Sequence, residues 1–573
     1  MQFTIEVNNR KIFADKGETI LSALNRNGIL IPTLCRMKEF TPTGACRMCV
    51  VEVEGRDRLV TACSQPVEEW MKIRTHSPRV IRARKTIVEL LLSNHPDDCL
   101  YCDRNLNCEL QKLAEELNIT ERRIKGRKVK LRLDQSSPAI VRELSKCILC
   151  GRCVRVCEEM VTATTLDFLN RGRKTQIGTA MNRDFNFSSC INCGQCVLVC
   201  PTGALHEKHN IAEVMENLSK PELTRVIQYS PAVPFALADS LGLKYTRDFD
   251  RIINSVLRKI GFELIYNTGF ATDLYIHEMA GSVIENHAGD APKPIYVSAC
   301  PAWVKYAEQF TPGLIDSISP LKSPQQIAGS LIKSFIPERK GINADNIFSV
   351  SVTPCIAMKF EARRDGMTRK GVSDVDAVLT VMELARLVRL FGIDITSSAE
   401  EAADDPMGMR SASALLTEVS GGYTEAVVRS LLFMKNVNTN DRALFRKVRS
   451  GSGFREVSVS AAGEEYNFAV VDGLTALQKL NNQIAAGKRY DMIEIMVCPG
   501  GCVNGGGLSF SSTREIIRNR AKFIYQTEEA EAVSVASKSP ALLSFYEDLG
   551  KSGEELSGKS LFHTRYIRRD VLL

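Results

Sequence analysis

The chain lacks several features that would each point to a function. No apolar run approaches the roughly 20 residues that a membrane span requires. Its first residues, MQFTIEVNNRKIFADKGETI, lack the basic, apolar and small-residue parts of a secretory signal, so a cytoplasmic protein is expected. The glycine-rich run CPGGCVNGGG does not end in Gly-Lys-Ser/Thr and holds two thiols, which disfavours a phosphate loop there, and no G-x-G-x-x-G follows a strand-like run, so no NAD or flavin site is expected. A net charge of +7 is small for 573 residues and argues against nucleic acid or membrane as partner. Basic residues gather in RVIRARK (79–85) and ERRIKGRKVKLRL (121–133), which read as solvated faces, with docking of an acidic partner as the alternative.

What the chain has in quantity is cysteine. Its 19 cysteines are odd in number and fall in clusters spaced by two or three residues, so metal binding is the natural use in a cytosolic protein. At ~150 residues per domain the length accommodates about four domains. The first group, Cys35, Cys46, Cys49 and Cys63, follows two strand signals around Asn8-Asn9 and a helical run, ETILSALNRNG. Its C-x10-C-x2-C-x13-C spacing differs from the plant ferredoxin pattern. It resembles the β-grasp [2Fe-2S] domain that opens several hydrogenase and NADH-oxidising subunits, with a structural zinc site as the alternative. Gly44 and Ala45 lack bulk, which lets backbone N–H groups approach cluster sulfurs.

NHPDDCLYCDRNLNCEL supplies Cys99, Cys102 and Cys108, one ligand short of a four-ligand site, and His95 stands where it could complete a [4Fe-4S] set. Imidazole in place of thiolate removes a negative charge and raises a cluster's potential. CILCGRCVRVC (Cys147, Cys150, Cys153, Cys157) and CINCGQCVLVC (Cys190, Cys193, Cys196, Cys200) then repeat C-x2-C-x2-C-x3-C, the two-cluster ferredoxin arrangement. In that arrangement each fourth cysteine ligates the other cluster. Cys200 then joins Cys147, Cys150 and Cys153, while Cys157 joins Cys190, Cys193 and Cys196. The reading is a relay of four clusters, one [2Fe-2S] and three [4Fe-4S].

From about residue 210 the pattern alternates apolar strands with amphipathic helices, as in an α/β domain. Four cysteines remain, each at or beyond the end of a strand-like run: PIYVSAC to Cys300, NIFSVSVTPC to Cys355, DMIEIMVC to Cys498, and PGGC on to Cys502. Ligands of open α/β sheets collect beyond the carboxyl ends of strands, so these thiols are expected to converge. Gly500, Gly501, Gly505, Gly506 and Gly507 suit a backbone wrapped closely round a bulky inorganic centre.

These three segments resemble the signature motifs of [FeFe] hydrogenases, T-S-C-C-P-x-W, P-C-x-x-K-x-x-E and E-x-M-x-C-x-G-G-C, in the large multi-cluster modular type. The resemblance implies an H-cluster: a [4Fe-4S] cluster on Cys300, Cys355, Cys498 and Cys502, bridged through Cys502 to a two-iron subsite carrying CO, cyanide and a dithiolate amine. Every cysteine then has a place. It implies domains at 1–80 ([2Fe-2S]), 81–125 (His/Cys3 [4Fe-4S]), 126–209 (two-[4Fe-4S] ferredoxin-like) and 210–573 (H-cluster). The fold class is multidomain α/β and α+β. Pro231 and Met496 carry over as residues of the catalytic site.

The departures from the family pattern concern protons. Ala299 stands where the family places a proton-transferring cysteine, and a methyl group cannot hold a proton. The motif lysine falls at Met358, although Lys359 and Glu361 are present, and Thr353 stands where a methionine often packs. Met279 and Ser282 align with two relay glutamates, leaving Ser319 as the surviving relay member. Such substitutions resemble the hydrogen-sensing branch of the family. Its relatives often carry a C-terminal PAS domain, for which too few residues follow Cys502, so a redox or signalling protein such as a ferredoxin or a regulator is the expected partner. The competing expectations are a high-turnover catalytic subunit of an NAD-linked, bifurcating complex, and a non-enzymatic iron–sulfur scaffold lacking the two-iron subsite.

Overall fold

The computed structural model describes residues 2–128, 131–246, 249–369, 371–438, 442–509, 513–551 and 561–570. At the N-terminus, strands Gln2–Val7 and Arg10–Asp15 pair antiparallel across Asn8 and Asn9, both in the left-handed region (φ 49° and 66°) that a tight hairpin turn needs. They head a five-stranded sheet in the order Arg10–Asp15, Gln2–Val7, Lys72–Arg74, Val50–Val53, Val60–Thr61. Helix Ile20–Arg26 starts where the Thr19 side chain accepts from Ser22 N, and its Ile20 and Leu24 pack into the sheet core with Ile5, Val51 and Ile73.

Helix Pro78–Asn94 opens with Ser77 as cap and proline in its first turn. Its basic stretch is not wholly solvated, contrary to the sequence reading. Arg84 is buried and donates to the carbonyls of Met48 (3.1 Å) and Val50 (2.9 Å), closing backbone acceptors beside Cys49. The second basic stretch runs largely exposed; Arg123 pairs with Glu89, and its residues 129 and 130 lie outside the described residues.

In the ferredoxin-like region the duplication is visible in the backbone. Gly151 (φ 73°) and Gly194 (φ 76°) each precede a short helix, Arg152–Arg155 and Gln195–Val199, in the left-handed conformation that glycine adopts without strain.

The catalytic region is built on two four-stranded sheets. The first, in the order Leu264–Asn267, Thr224–Tyr229, Ile347–Thr353, Ala377–Thr380, is parallel throughout. Every residue of Ile347–Thr353 is buried, as both faces of a parallel strand must be. The second runs Ile295–Tyr296, Met492–Met496, Glu464–Asp472, Phe454–Ala461, with the last pair antiparallel. Cys300, Cys355 and Cys498 all follow the carboxyl ends of parallel strands. Among the described residues no helix is long and apolar enough to cross a membrane.

Candidate functional site

Where the parallel strands of the two sheets end, a cavity is lined by Cys300, Cys355, Cys498 and Cys502. Cys300 caps helix Pro301–Phe310, whose first residue, proline, needs no N–H partner. Cys355 follows Thr353, whose Oγ1 accepts from Cys355 N at 3.2 Å. Cys498 and Cys502 flank Gly500 and Gly501, both at positive φ (88° and 96°). A Cβ on Gly501 would lie 2.6 Å from Ser420 N, so the loop can close only with glycine there.

Burial pushes all four thiols up, Cys355 to about 12 and Cys498 and Cys502 well above the ordinary range. Left alone, such thiols would stay protonated and inert. Four of them round one apolar cavity fit an iron–sulfur cluster, whose cationic iron makes the thiolate form favourable. The buried Gln325 carboxamide at the cavity wall, with Oε1 unpartnered, fits a further polar group beyond the thiols.

Ala299 lines the same cavity, as do Pro231, Thr353, Met358 and Met496. The residue beside the alanine is committed elsewhere: Ser298 Oγ donates to Leu321 O (2.7 Å) and lies 3.0 Å from the Tyr275 hydroxyl. Lys359 does not stand in for the motif lysine. Its ammonium is buried away from the cavity, donating to Glu383 (2.6 Å), Lys208 O (2.7 Å) and Asn210 Oδ1 (3.2 Å). One residue of helix is a turn of 100°, which carries position 359 to another face of Ala357–Glu361.

Glu361, Ser319, Met279 and Ser282 do not line the cavity either. Glu361 is fully buried, accepts from Ser323 Oγ at 2.6 Å, and is pushed by burial up to about 7. Ser319 Oγ accepts from Leu321 N (3.3 Å), Met279 is buried in helix Gly269–His287, and the Ser282 hydroxyl bonds back to Glu278 O (2.9 Å). The sequence reading missed Glu418. This buried carboxylate lines the cavity, accepts a hydrogen bond from Ser230 Oγ, and is pushed by burial up to about 7. It lies in no motif, and only its place in the fold marks it.

Four further cysteine groups sit apart from this cavity. Cys35 accepts a hydrogen bond from the Cys46 thiol and Cys63 accepts one from the Cys49 thiol, which holds Cys35 and Cys63 below the ordinary thiol range. Beside Cys99, Cys102 and Cys108, burial pushes His95 down to about 4, leaving a neutral imidazole whose buried Nδ1 has no hydrogen-bond partner. One small cavity is lined by Cys147, Cys150, Cys153 and Cys200, and another by Cys157, Cys190, Cys193 and Cys196. Cys193 also lines the large cavity, so the two are adjacent. Cys153 is an electrostatic neighbour of Cys196, and Arg104 of both Cys102 and Cys200. Arg152 lies in the field of both Cys150 and Cys46. Each of two outer groups thus shares a neighbouring arginine with the Cys147, Cys150, Cys153 and Cys200 group.

The family described as the iron only hydrogenase large subunit, C-terminal domain, matches residues 224–506. A 2Fe-2S iron-sulfur cluster binding domain matches 1–78, the NADH-ubiquinone oxidoreductase-G iron-sulfur binding region 84–123, and the ferredoxin-like domain of NADH-quinone oxidoreductase subunit 3 residues 137–206. The chain is 36% identical over 582 aligned positions to an NADP-reducing hydrogenase subunit of Solidesulfovibrio fructosivorans, covering 99% of each chain. It is 34% identical to iron hydrogenase 1 of Clostridium pasteurianum, covering 98% of this chain and 99% of that one. An apo [FeFe]-hydrogenase variant from Chlamydomonas reinhardtii superposes with a TM-score of 0.55 at 26% identity, over 63% of this chain and all of that one.

Proposed function

Since the chain belongs to the iron-only, or [FeFe], hydrogenase family in its modular form, we propose that it interconverts dihydrogen with protons and electrons slowly, as a cytoplasmic hydrogen sensor. The observation that carries the slow, sensory part is Ala299, a methyl group on the cavity wall where the family holds a thiol. When bound, an H-cluster on Cys300, Cys355, Cys498 and Cys502 supplies the iron centre at which dihydrogen is split or formed. The protein around it supplies anchorage, shape and protons.

Cys502 would hold the cluster together with Cys300, Cys355 and Cys498, and the glycines of its loop would let the backbone close round it. Met358 offers a thioether where the family has an ammonium, which removes a charged donor to cyanide. In the absence of a thiol at 299, Glu418 holds the exchangeable proton at a carboxyl oxygen, oriented by Ser230. Its position near 7 keeps both protonation states accessible at neutral pH.

The N-terminal cysteine groups would hold clusters that supply a path for electrons. Cys35, Cys46, Cys49 and Cys63 would hold a [2Fe-2S] cluster. His95, Cys99, Cys102 and Cys108 would hold a [4Fe-4S] cluster, as would Cys147, Cys150, Cys153 and Cys200, and Cys157, Cys190, Cys193 and Cys196. A redox or signalling protein would receive the electrons. Infrared spectroscopy of the matured protein tests the centre: CO and cyanide bands that shift under dihydrogen are expected, and their absence leaves only an iron–sulfur scaffold.

A second reading makes the chain the catalytic subunit of an NADP-linked complex. The end-to-end similarity to an NADP-reducing hydrogenase subunit favours it. A dye-linked hydrogen assay separates the two, because a rate equal to ordinary family members removes the sensory reading.

A further inference from the structure

Gln195 opens the short helix Gln195–Val199 within the second cysteine run and is buried where that run meets the catalytic cavity. Its Nε2 lies 3.1 Å from Cys498 Sγ and 2.9 Å from the carbonyl oxygen of Asn504. A carboxamide nitrogen carries two hydrogens and its oxygen none. A peptide carbonyl and a metal-bound thiolate are both acceptors only. The amide must therefore turn its nitrogen to them, and both hydrogens are consumed. The reversed amide would set an acceptor against two acceptors.

The backbone holds this side chain in place. A Cβ on Gly194 would lie 2.4 Å from Ile356 Cδ1 and 3.0 Å from Gly506 Cα, and one on Gly506 would lie 2.8 Å from Gly194 Cα. The loop bearing Cys193 and the loop bearing Cys502 thus touch through glycine on both sides. Gln195 is the side chain that crosses this contact to a proposed cluster ligand.

We propose that Gln195 is a positioning residue for electron transfer, which sets the reduction potential of the four-iron cluster held partly by Cys498. This rests on the reading of the cavity as an H-cluster site. An N–H···S bond withdraws negative charge from the ligand sulfur and so favours the reduced, more negative cluster. In the step concerned one electron leaves the Cys193 cluster and arrives at the Cys498 cluster, or the reverse. No N–H bond breaks and no proton moves. The amide makes the catalytic-side cluster the better acceptor and keeps the two loops in register.

Gln195→Met keeps the length and volume of the side chain and removes its N–H groups, and Gln195→Leu removes them with a different shape. Infrared spectroelectrochemistry on the matured full-length protein reads the potential at which the CO and cyanide bands shift as the adjoining four-iron cluster is reduced. Loss of a hydrogen bond to a charged acceptor is expected to weaken reduction by about tenfold, a shift of about 59 mV to more negative potential for one electron. Both variants should show it with iron content unchanged. A band shift at the parental potential in both overturns the role of Gln195. Absence of CO and cyanide bands in the parent protein overturns the reading of the cavity instead.

Discussion

In the proposed mechanism Ala299, a methyl group in the cavity wall, closes the family's usual proton route. General acid–base transfer typically contributes ~10²–10⁴-fold. Restoring a thiol alone should recover only part of that, because Met279, aligned with a relay glutamate, cannot carry the proton onward. Ala299→Cys is expected to raise hydrogen turnover less than about tenfold, and Ala299→Cys with Met279→Glu to enter the ~10²–10⁴-fold range. Rates are measured per infrared-quantified centre. A single variant as fast as the double would mean that another group already takes the proton from residue 299. Glu418 is the group to test for the parent protein. Its folded carboxyl keeps the proton to about pH 7, whereas the unfolded one releases it near 4.5, so the folded state binds more protons between those values. This residue's contribution to stability therefore falls as pH rises from about 4.5 to 7, and Glu418→Gln should make the slope in thermal melts shallower, with buried Glu361 and Asp273 supplying part of the remainder. The same variant should lower turnover and abolish a rate inflection near pH 7; a pH–rate profile unchanged from the parent would remove Glu418 from the proton route.

The elements explain what the sequence could and could not disclose. Cysteine spacings are local, and the expectation that runs ending at residues 300, 355 and 498 lie at strand ends holds, because parallel strands buried on both faces leave an unmistakable apolar signature. Glu418 was not legible. It is the single carboxylate of LLTEVSGG, and its neighbour Ser230 is 188 residues away in sequence. Arg84 was misread for a similar reason, since a basic cluster does not reveal which of its members turns inward to carbonyls. Lys359 stands one residue beyond the motif position, and helix geometry gives a one-residue shift a different face. It became a buried strut, joining the short helix after Cys355 to the segment 208–210 and to Glu383. Removing one partner of such a pair costs about 3–5 kcal/mol. Lys359→Met should thus lower the melting temperature markedly while leaving cyanide band positions unchanged in the folded fraction. Met358→Lys should do the opposite, moving the cyanide bands by placing a charged donor in the cavity. Interchanged effects would show that the helix is rotated from the arrangement described.

At the scale of the whole molecule, the proposed clusters would form a branched circuit whose node is the Cys147, Cys150, Cys153 and Cys200 group. One branch runs past Arg152 toward Cys46, and the other past Arg104 toward Cys102. Arg104 and Arg152 are both buried, Arg152 in a bidentate pair with Glu109, and each places a guanidinium beside groups that would become more negative when reduced. That charge favours an electron residing on either side and makes both branches passable. Breaking the node should isolate both outer groups at once. In Cys200→Ser, dihydrogen is expected to leave the outer clusters oxidised on rapid freezing, as read by electron paramagnetic resonance, while the infrared bands of the catalytic centre still respond. In Cys49→Ser, only the [2Fe-2S] signal should vanish, and the His95 cluster should still be reduced. Prompt reduction of the outer clusters in Cys200→Ser would mean that electrons bypass the node, and the circuit would then have to be redrawn with a direct path from the Cys157 group to the surface.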